Sequence, residues 1–314
     1  DYLGVAIADE GVDLRKSGIS LPIMVMNPEP DAYESLIEYR LEPEIYNFRT
    51  LNEFLKVLEV TNSNYVAPFP IHIKVETGMH RLGFMQDEII PLLQLLSVNK
   101  TVFVASVFSH LASSDNEKLK IHTNNQIRVF KGITEQFSAA LDHPPIFHIL
   151  NSSGIIAFKR ARFDMVRLGI GMYGVSGYAH FQPKLQQVSE LKTVISQIKV
   201  IKKGAAIGYD RQELVNNEIT IAIVPIGYAD GIHRVLGNRK GHMIVNDSKV
   251  EIIGNVCMDM CMLDITNVNA KEGDSVTVFG TGLPIAEYAK SMNTIPYEAL
   301  TSVSPRVKRV YYQE

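Results

Sequence analysis

The chain has 314 residues, 46% hydrophobic and 21% charged, enough for one large or two ordinary globular domains with a buried core. A net charge of −3 and a pI near 6.3, with lysine and arginine spread along the chain, argue against a nucleic-acid binder, and no apolar run approaches the roughly 20 residues of a membrane span. Two cysteines, Cys257 and Cys261, are too few for a disulfide framework and are expected as reduced core thiols of a cytoplasmic protein.

Up to about Gly174, β-rich runs alternate with helical patterns. Strands are expected at 3–8, 22–26, 44–48, 71–75, 102–110, 146–150 and 165–169. Between them, Thr50 and Glu53 have capping-box spacing before FLKVLEV, Asp87 leads EIIPLLQLL, and Asn124 leads a long amphipathic run. Near-continuously apolar strands alternating with helices predict parallel βα units. A doubly wound sheet would show a glycine fingerprint after its first strand, where this chain reads IADEG. Seven strands fall one short of a closed barrel. The expectation is therefore an α/β fold: a (β/α)8 TIM-type barrel lacking its first βα unit, over residues 1–180, with DYLGVAIADE as its second strand and the start of a helix. After about Ser189 the runs are strand-like and separated by turns at Asn246-Asp247-Ser248 and Gly273-Asp274, with helices at 284–292 and 297–301. A mostly β C-terminal domain is expected over 188–314, joined by a linker at 176–187.

In a barrel, function belongs at the C-terminal ends of the strands. The fourth run ends in IHIKVETGMHRLGF, where Lys74, Glu76, His80 and Arg81 interrupt an apolar frame. The fifth places His110 at its tip, the sixth places Asn151 and Ser152, and the seventh carries Arg167 inside MVRLGIGMYG. Four consecutive strands delivering polar groups to one rim favour a site. Ser152, opening a short helical stretch, and the backbone at Gly169 and Gly171 suit a phosphate. There is no P-loop, no GxSxG elbow and no ligand-spaced Cys/His/Asp cluster, so no metal is expected. Of nine histidines, only His110 sits where chemistry is expected. The second domain adds Tyr209 in AIGYD, Tyr228 in PIGYADG and Met258 in GNVCMDM.

The ordered set KVETGMHRLGF, SHLASSD, NSSG, VRLGIGMYG, IGYD, PIGYADG, GNVCMDM and PYEALTSVSPRVKRVY resembles bacterial alanine racemases from the first residue to nearly the last. The resemblance implies a homodimeric isomerase that uses pyridoxal 5′-phosphate and two-base proton transfer to interconvert L- and D-alanine for peptidoglycan. A broad-specificity amino-acid racemase and a non-catalytic fragment are the alternatives. It implies that Tyr209 is a catalytic base contributed across the dimer, that His110 is its partner, and that Arg167 comes next and faces the cofactor's pyridine nitrogen. Ser152, Asn151 and the backbone of Gly169 and Ile170 would meet the phosphate. Arg81, the backbone at Met258, and Tyr228 would meet the substrate, while Asp115 and Arg234 would line an access corridor. Lys74 matches a lysine carbamylated in many relatives. Pro305 stands where many relatives carry a phosphate-contacting tyrosine, and Asn255 where an arginine often precedes VCMD. The family's cofactor-anchoring lysine lies on the first barrel strand, in a segment like KADAYGHG. It is expected ahead of Asp1, where some bacteria also carry a fused cell-wall ligase, so that these residues supply the Tyr209 half of the two-base pair.

Overall fold

The first half forms six strands: β1 (Leu3–Val5), β2 (Ile23–Val25), β3 (Glu42–Ile45), which starts two residues ahead of the expected 44–48, β4 (Phe69–Lys74), β5 (Val102–Phe108) and β6 (Ile146–His148). The structure, a computed structural model, describes residues 1–61, 68–209 and 213–312. The six strands pair in parallel in chain order, β1 to β6, with crossover helices such as Phe48–Thr61, Ile89–Val98 and Lys120–Ala140 between them. This is a curled barrel-type sheet. Its core includes Ile23, Ile45, Phe54, Ile71, Ile73 and Phe130, all buried.

Residues 165–169 do not form the expected seventh strand. Met165 N donates to Phe147 O at 3.3 Å and Arg167 N to Leu150 O at 2.9 Å. Two steps along this segment thus face three along the chain through β6, and the mismatch denies it a regular ladder.

The helix after β3 begins earlier than Thr50. Asn47 Oδ1 accepts from Thr50 N at 2.8 Å, while Thr50 Oγ1 accepts from Asn47 N at 3.4 Å, so the reciprocal cap sits three residues upstream. Glu53 instead pairs with Arg49 on the surface. The long helix likewise starts at Lys120, behind a turn at Glu117–Leu119 whose cap is Asn116, and not at Asn124.

The second half forms β7 (Leu191–Val194), β8 (Gln197–Ile201), β9 (Ala206–Ile207), β10 (Glu213–Leu214), β11 (Ile219–Val224), β12 (His242–Val245), β13 (Ser248–Ile253), β14 (Cys261–Asp264) and β15 (Ser275–Phe279). Seven of these make one antiparallel sheet in the order β7-β15-β12-β13-β14-β11-β8, and β9 pairs with β10. Asn246 and Asp247, with φ of 45° and 61°, close the β12–β13 hairpin, as short polar side chains that tolerate the left-handed region can. Helices Ile285–Ser291 and Pro296–Thr301 follow. Both cysteines are free, and burial pushes the Cys261 thiol up to about 12.

Two compact units result: Asp1–Gly169 with Ser176–Tyr178, and Ile170–Val175 with Ala179–Glu314. Among the described residues, no helix is long and apolar enough to cross a membrane.

Candidate active site

Strand residues two apart share a face. Glu42 and Glu44, His72 and Lys74, and Ser106 and Phe108 are therefore three polar or aromatic pairs, each on one face of its strand. Register aligns them: Glu44 lies opposite His72, His72 opposite Ser106, Lys74 opposite Phe108, and Phe108 opposite His148. An apolar sheet thus carries a polar row across its middle, buried throughout.

Arg167 is the hub of the row's end. Its Nη1 donates to His148 Nδ1 at 2.6 Å, and its Nη2 donates to Ser109 O at 2.6 Å and to His110 Nδ1 at 3.3 Å. The guanidinium carbon lies 5.2 Å from the centre of the Phe108 ring, a cation–π contact. Burial brings Arg167 down to about 10, with Glu44 pulling the other way, so it stays charged at neutral pH. Burial, then the charges of Arg167, Arg81 and Lys74, hold His110 down at about 3. His110 is therefore a neutral imidazole. Because Arg167 can only donate, His110 accepts through Nδ1 and carries its proton on Nε2. Buried Gln126, on the long helix, fixes the His110 backbone by donating to its carbonyl at 3.0 Å while accepting from Ala112 N at 3.0 Å.

Lys74 Nζ stands 2.9 Å from Glu44 Oε1, both side chains buried, and 5.3 Å from the centre of the Phe108 ring. Burial pushes the Glu44 carboxyl up against the pull of Lys74, Arg167 and Arg81. Glu76 has a local task. Burial alone would raise its carboxyl, but backbone N–H groups of Gly78, Met79, Arg81 and His80 hold it below the usual range. It shapes the loop that ends in His80, at φ 56°, and exposed Arg81.

At the next tip, Asn151 caps helix Ser152–Ala157, accepting from Gly154 N at 3.0 Å and from Ser114 Oγ at 2.7 Å. Its amide oxygen is thus engaged within the fold. Ser152 Oγ accepts from Gly169 N at 3.0 Å, which brings those two expected phosphate contacts together. Ile170 opens a 3-10 turn, Ile170–Tyr173, that belongs to the second unit.

In the second unit, Tyr209 is 68% exposed and borders a cavity of about 450 Å³ with Gly208, Ile221, Ile223, Cys257 and Met262 among its walls. Asn255 donates to the Tyr209 carbonyl at 3.3 Å and accepts from Asn238 Nδ2 at 3.1 Å. Asp210, the last residue of IGYD, lies outside the described residues. Tyr228 N and Ala229 N donate to the carbonyls of Cys257 and Met258, at 3.0 Å each, which pins the Met258 loop to the Tyr228 turn. A Cβ on Gly227 would lie 2.3 Å from Cys257 O and 2.4 Å from Met258 O, so this approach requires glycine. Arg234 lies in a further 3-10 turn, Arg234–Leu236. Just beyond Pro305, Arg306 pairs with Asp230 and Asp259, at 2.7 Å each.

The comparisons agree along the whole chain. The family Alanine racemase, N-terminal domain, matches residues 1–177, and Alanine racemase, C-terminal domain, matches residues 188–311. The chain belongs to the alanine racemase family. An alanine racemase of Helicobacter pylori (strain Shi470) is 36% identical over 327 residues, spanning 99% of this chain and 84% of that protein. The alanine racemase structure of Clostridium difficile 630 superposes with a TM-score of 0.90 at 31% identity, covering 99% of this chain and 82% of that one. That of Bartonella henselae, described with covalently bound pyridoxal phosphate, gives 0.87 at 28% identity, covering 99% and 85%.

Within this racemase-family chain, the structure groups His110, Arg167 and Lys74 at one rim of the sheet and pairs Ser152 with Gly169. Sequence reasoning missed Glu42, Glu44, His72, Ser106 and His148. For Glu42, Glu44 and His72 a signal was present as polar residues two apart, in LEPEI and in HIK; Ser106 and His148 carry no such pattern in their strands.

Proposed function

We propose that Arg167, His110 and Tyr209 carry the proton chemistry of this racemase. The activity is the interconversion of L- and D-alanine, a supply of D-alanine for peptidoglycan, and the cofactor is pyridoxal 5′-phosphate. The donor set fits that cofactor: Arg167 offers a fixed cation, and Ser152 with the Gly169 backbone offers two neighbouring polar groups for a phosphate. Asn151 shapes that corner as a cap, and Ile170 adds its backbone. Pyridoxal phosphate, when bound, supplies the electron sink that makes the alanine α-proton labile. Arg167, charged at neutral pH, leaves a ring nitrogen facing it unprotonated and so favours simple proton exchange. Tyr209 moves the α-proton through its phenol oxygen, with neutral His110 as its hydrogen-bond partner. Arg81, the Met258 backbone and Tyr228 hold the substrate, the arginine by pairing with its carboxylate.

The Glu44 pairing favours an ammonium at Lys74 over a carbamate, which would set a second anion beside a buried carboxylate. In this reading residues 1–180 hold the cofactor and 188–314 present Tyr209. The protein is a cytoplasmic homodimer in which Tyr209 serves the partner's cofactor, an arrangement that the exposure of Tyr209 and of Met258, at 54%, supports. The observation that carries the reading is the charged Arg167 bonded to a neutral His110, in a chain matched to racemases end to end. The test follows alanine enantiomers on a chiral column for the full-length protein with pyridoxal phosphate. Wild type should equilibrate them and Tyr209→Phe should not. A Tyr209→Phe variant of undiminished rate would overturn the assignment.

A further inference from the structure

The hydrogen bonds of Arg167 do not stop at His148. His148 Nε2 lies 3.0 Å from Ser106 Oγ, Ser106 Oγ lies 2.6 Å from His72 Nδ1, and His72 Nε2 lies 2.8 Å from Glu42 Oε2. His72, Ser106 and His148 are wholly buried, on three neighbouring strands. We propose that Glu42, His72 and Ser106 are positioning residues for Arg167, forming through His148 a one-directional hydrogen-bond relay that fixes both imidazole tautomers and holds an acceptor against the guanidinium.

The direction follows from the two ends. A guanidinium only donates, so His148 must accept at Nδ1 and carry its proton on Nε2, from which it donates to Ser106. A carboxylate only accepts, so His72 must carry a proton on Nε2; the relay takes the ring as the neutral tautomer, whose Nδ1 is then an acceptor. The two deductions start from opposite ends and meet at Ser106. There they require one hydrogen bond accepted, from His148, and one donated, to His72. A hydroxyl has the groups for both, and no donor faces a donor anywhere along the line. Burial, with the charge of Arg167 behind it, keeps His148 far below the usual imidazole range, so it stays neutral as the relay needs.

Each imidazole turns its lone pair toward Arg167 and its N–H toward Glu42. Aligned dipoles in a poorly screened interior carry the influence of the Glu42 carboxylate to a cation with which it makes no direct contact. The Tyr2 ring packs edge-on against His72 at 5.4 Å, so the far end is braced as well.

That the relay orders Arg167 is independent of the racemase reading; that this ordering affects turnover rests on it. The experiment has two arms. Nitrogen-15 NMR of the histidine-labelled full-length protein at neutral pH reads the tautomers directly. His72 and His148 should both be neutral with the proton on Nε2, and either ring protonated on Nδ1 would overturn the relay even if alanine is racemised normally. The second arm compares Ser106→Ala, Ser106→Thr and Glu42→Gln by kinetics and by the same spectra. Ser106→Ala should lower kcat about tenfold with KM within about twofold, the mark of misplaced reacting groups, and Ser106→Thr should restore most of it. Glu42→Gln, at the less enclosed end, should show a smaller kcat loss in the same direction, and it serves where Ser106→Ala does not fold. An unchanged kcat in a folded variant whose spectra show altered tautomers would overturn the positioning role.

Discussion

His110 shows how a side chain with an ordinary affinity for protons is denied one. In the unfolded chain it binds a proton near 6.5; in the fold, near 3. Between those values the unfolded state holds more protons, so acidification through that window favours unfolding, by up to about 1.4 kcal/mol per pH unit for each such histidine. His148 shifts in the same direction. Urea unfolding from about pH 7 to about pH 5 should therefore show falling stability, and His110→Gln should flatten the slope; an equal slope in both proteins would contradict this. Lys74 and Glu44 raise the opposite issue, a charge kept in the interior by one partner. Glu44→Gln should cost about 3–5 kcal/mol in denaturant titration, because the lysine is left alone, whereas replacing both residues together by Leu and Met should recover most of it. Labelled carbon dioxide retained on Lys74 of the wild type would refute the ammonium reading. His110 and Lys74 were legible in the sequence because they stand at the ends of apolar runs, and Arg167 because it interrupts one. Glu42, Ser106 and His148 were not, because which face of a parallel strand meets its neighbours' polar groups depends on register, and register is set by the whole sheet.

At the scale of elements, the alternation of strands and helices was legible and their limits were less so. Asn47 displaced Thr50 as a cap because its amide oxygen reaches the Thr50 amide while the hydroxyl returns the bond, a reciprocity visible only once the β3 exit is placed. The 165–169 run has the composition of a strand but lacks a matched partner, because the turn after β6 puts three residues against its two. Turns were easier, since Asn246-Asp247 and Gly227 state their backbone needs in their side chains. Gly227→Ala tests the tightest of these. The added methyl would overlap two carbonyl oxygens, so a loss of about 1–3 kcal/mol in stability is expected, together with a raised KM for alanine as the Met258 loop moves. An alanine variant with wild-type melting and KM would show that the loop can yield.

At the scale of the molecule, each of the two units has its own apolar core, one around β1 to β6 and one that includes Ile170 and Val175 with the antiparallel sheet. The change from alternating to all-strand patterning made the two halves legible. The interleaving of 170–178 was not, because short glycine-rich turns carry little information on which core they join. If Tyr209 acts in a partner's site, two inactive variants should repair each other. Mixing Tyr209→Phe with Arg167→Gln and allowing exchange should restore about a quarter of wild-type activity, since half of the dimers would be mixed and each would have one intact site. No recovery after verified exchange would place both residues in a single subunit's site.

The unladdered segment around Arg167 has a mechanical corollary. A strand ordinarily aims its side chains, its backbone being fastened first. Here the fastening is reversed: the backbone from 164 to 167 has three irregular bonds to its neighbours, while the guanidinium alone reaches His110, His148 and the carbonyls of residues 109 and 149. Arg167 is the mooring by which that length of chain is tied to the sheet.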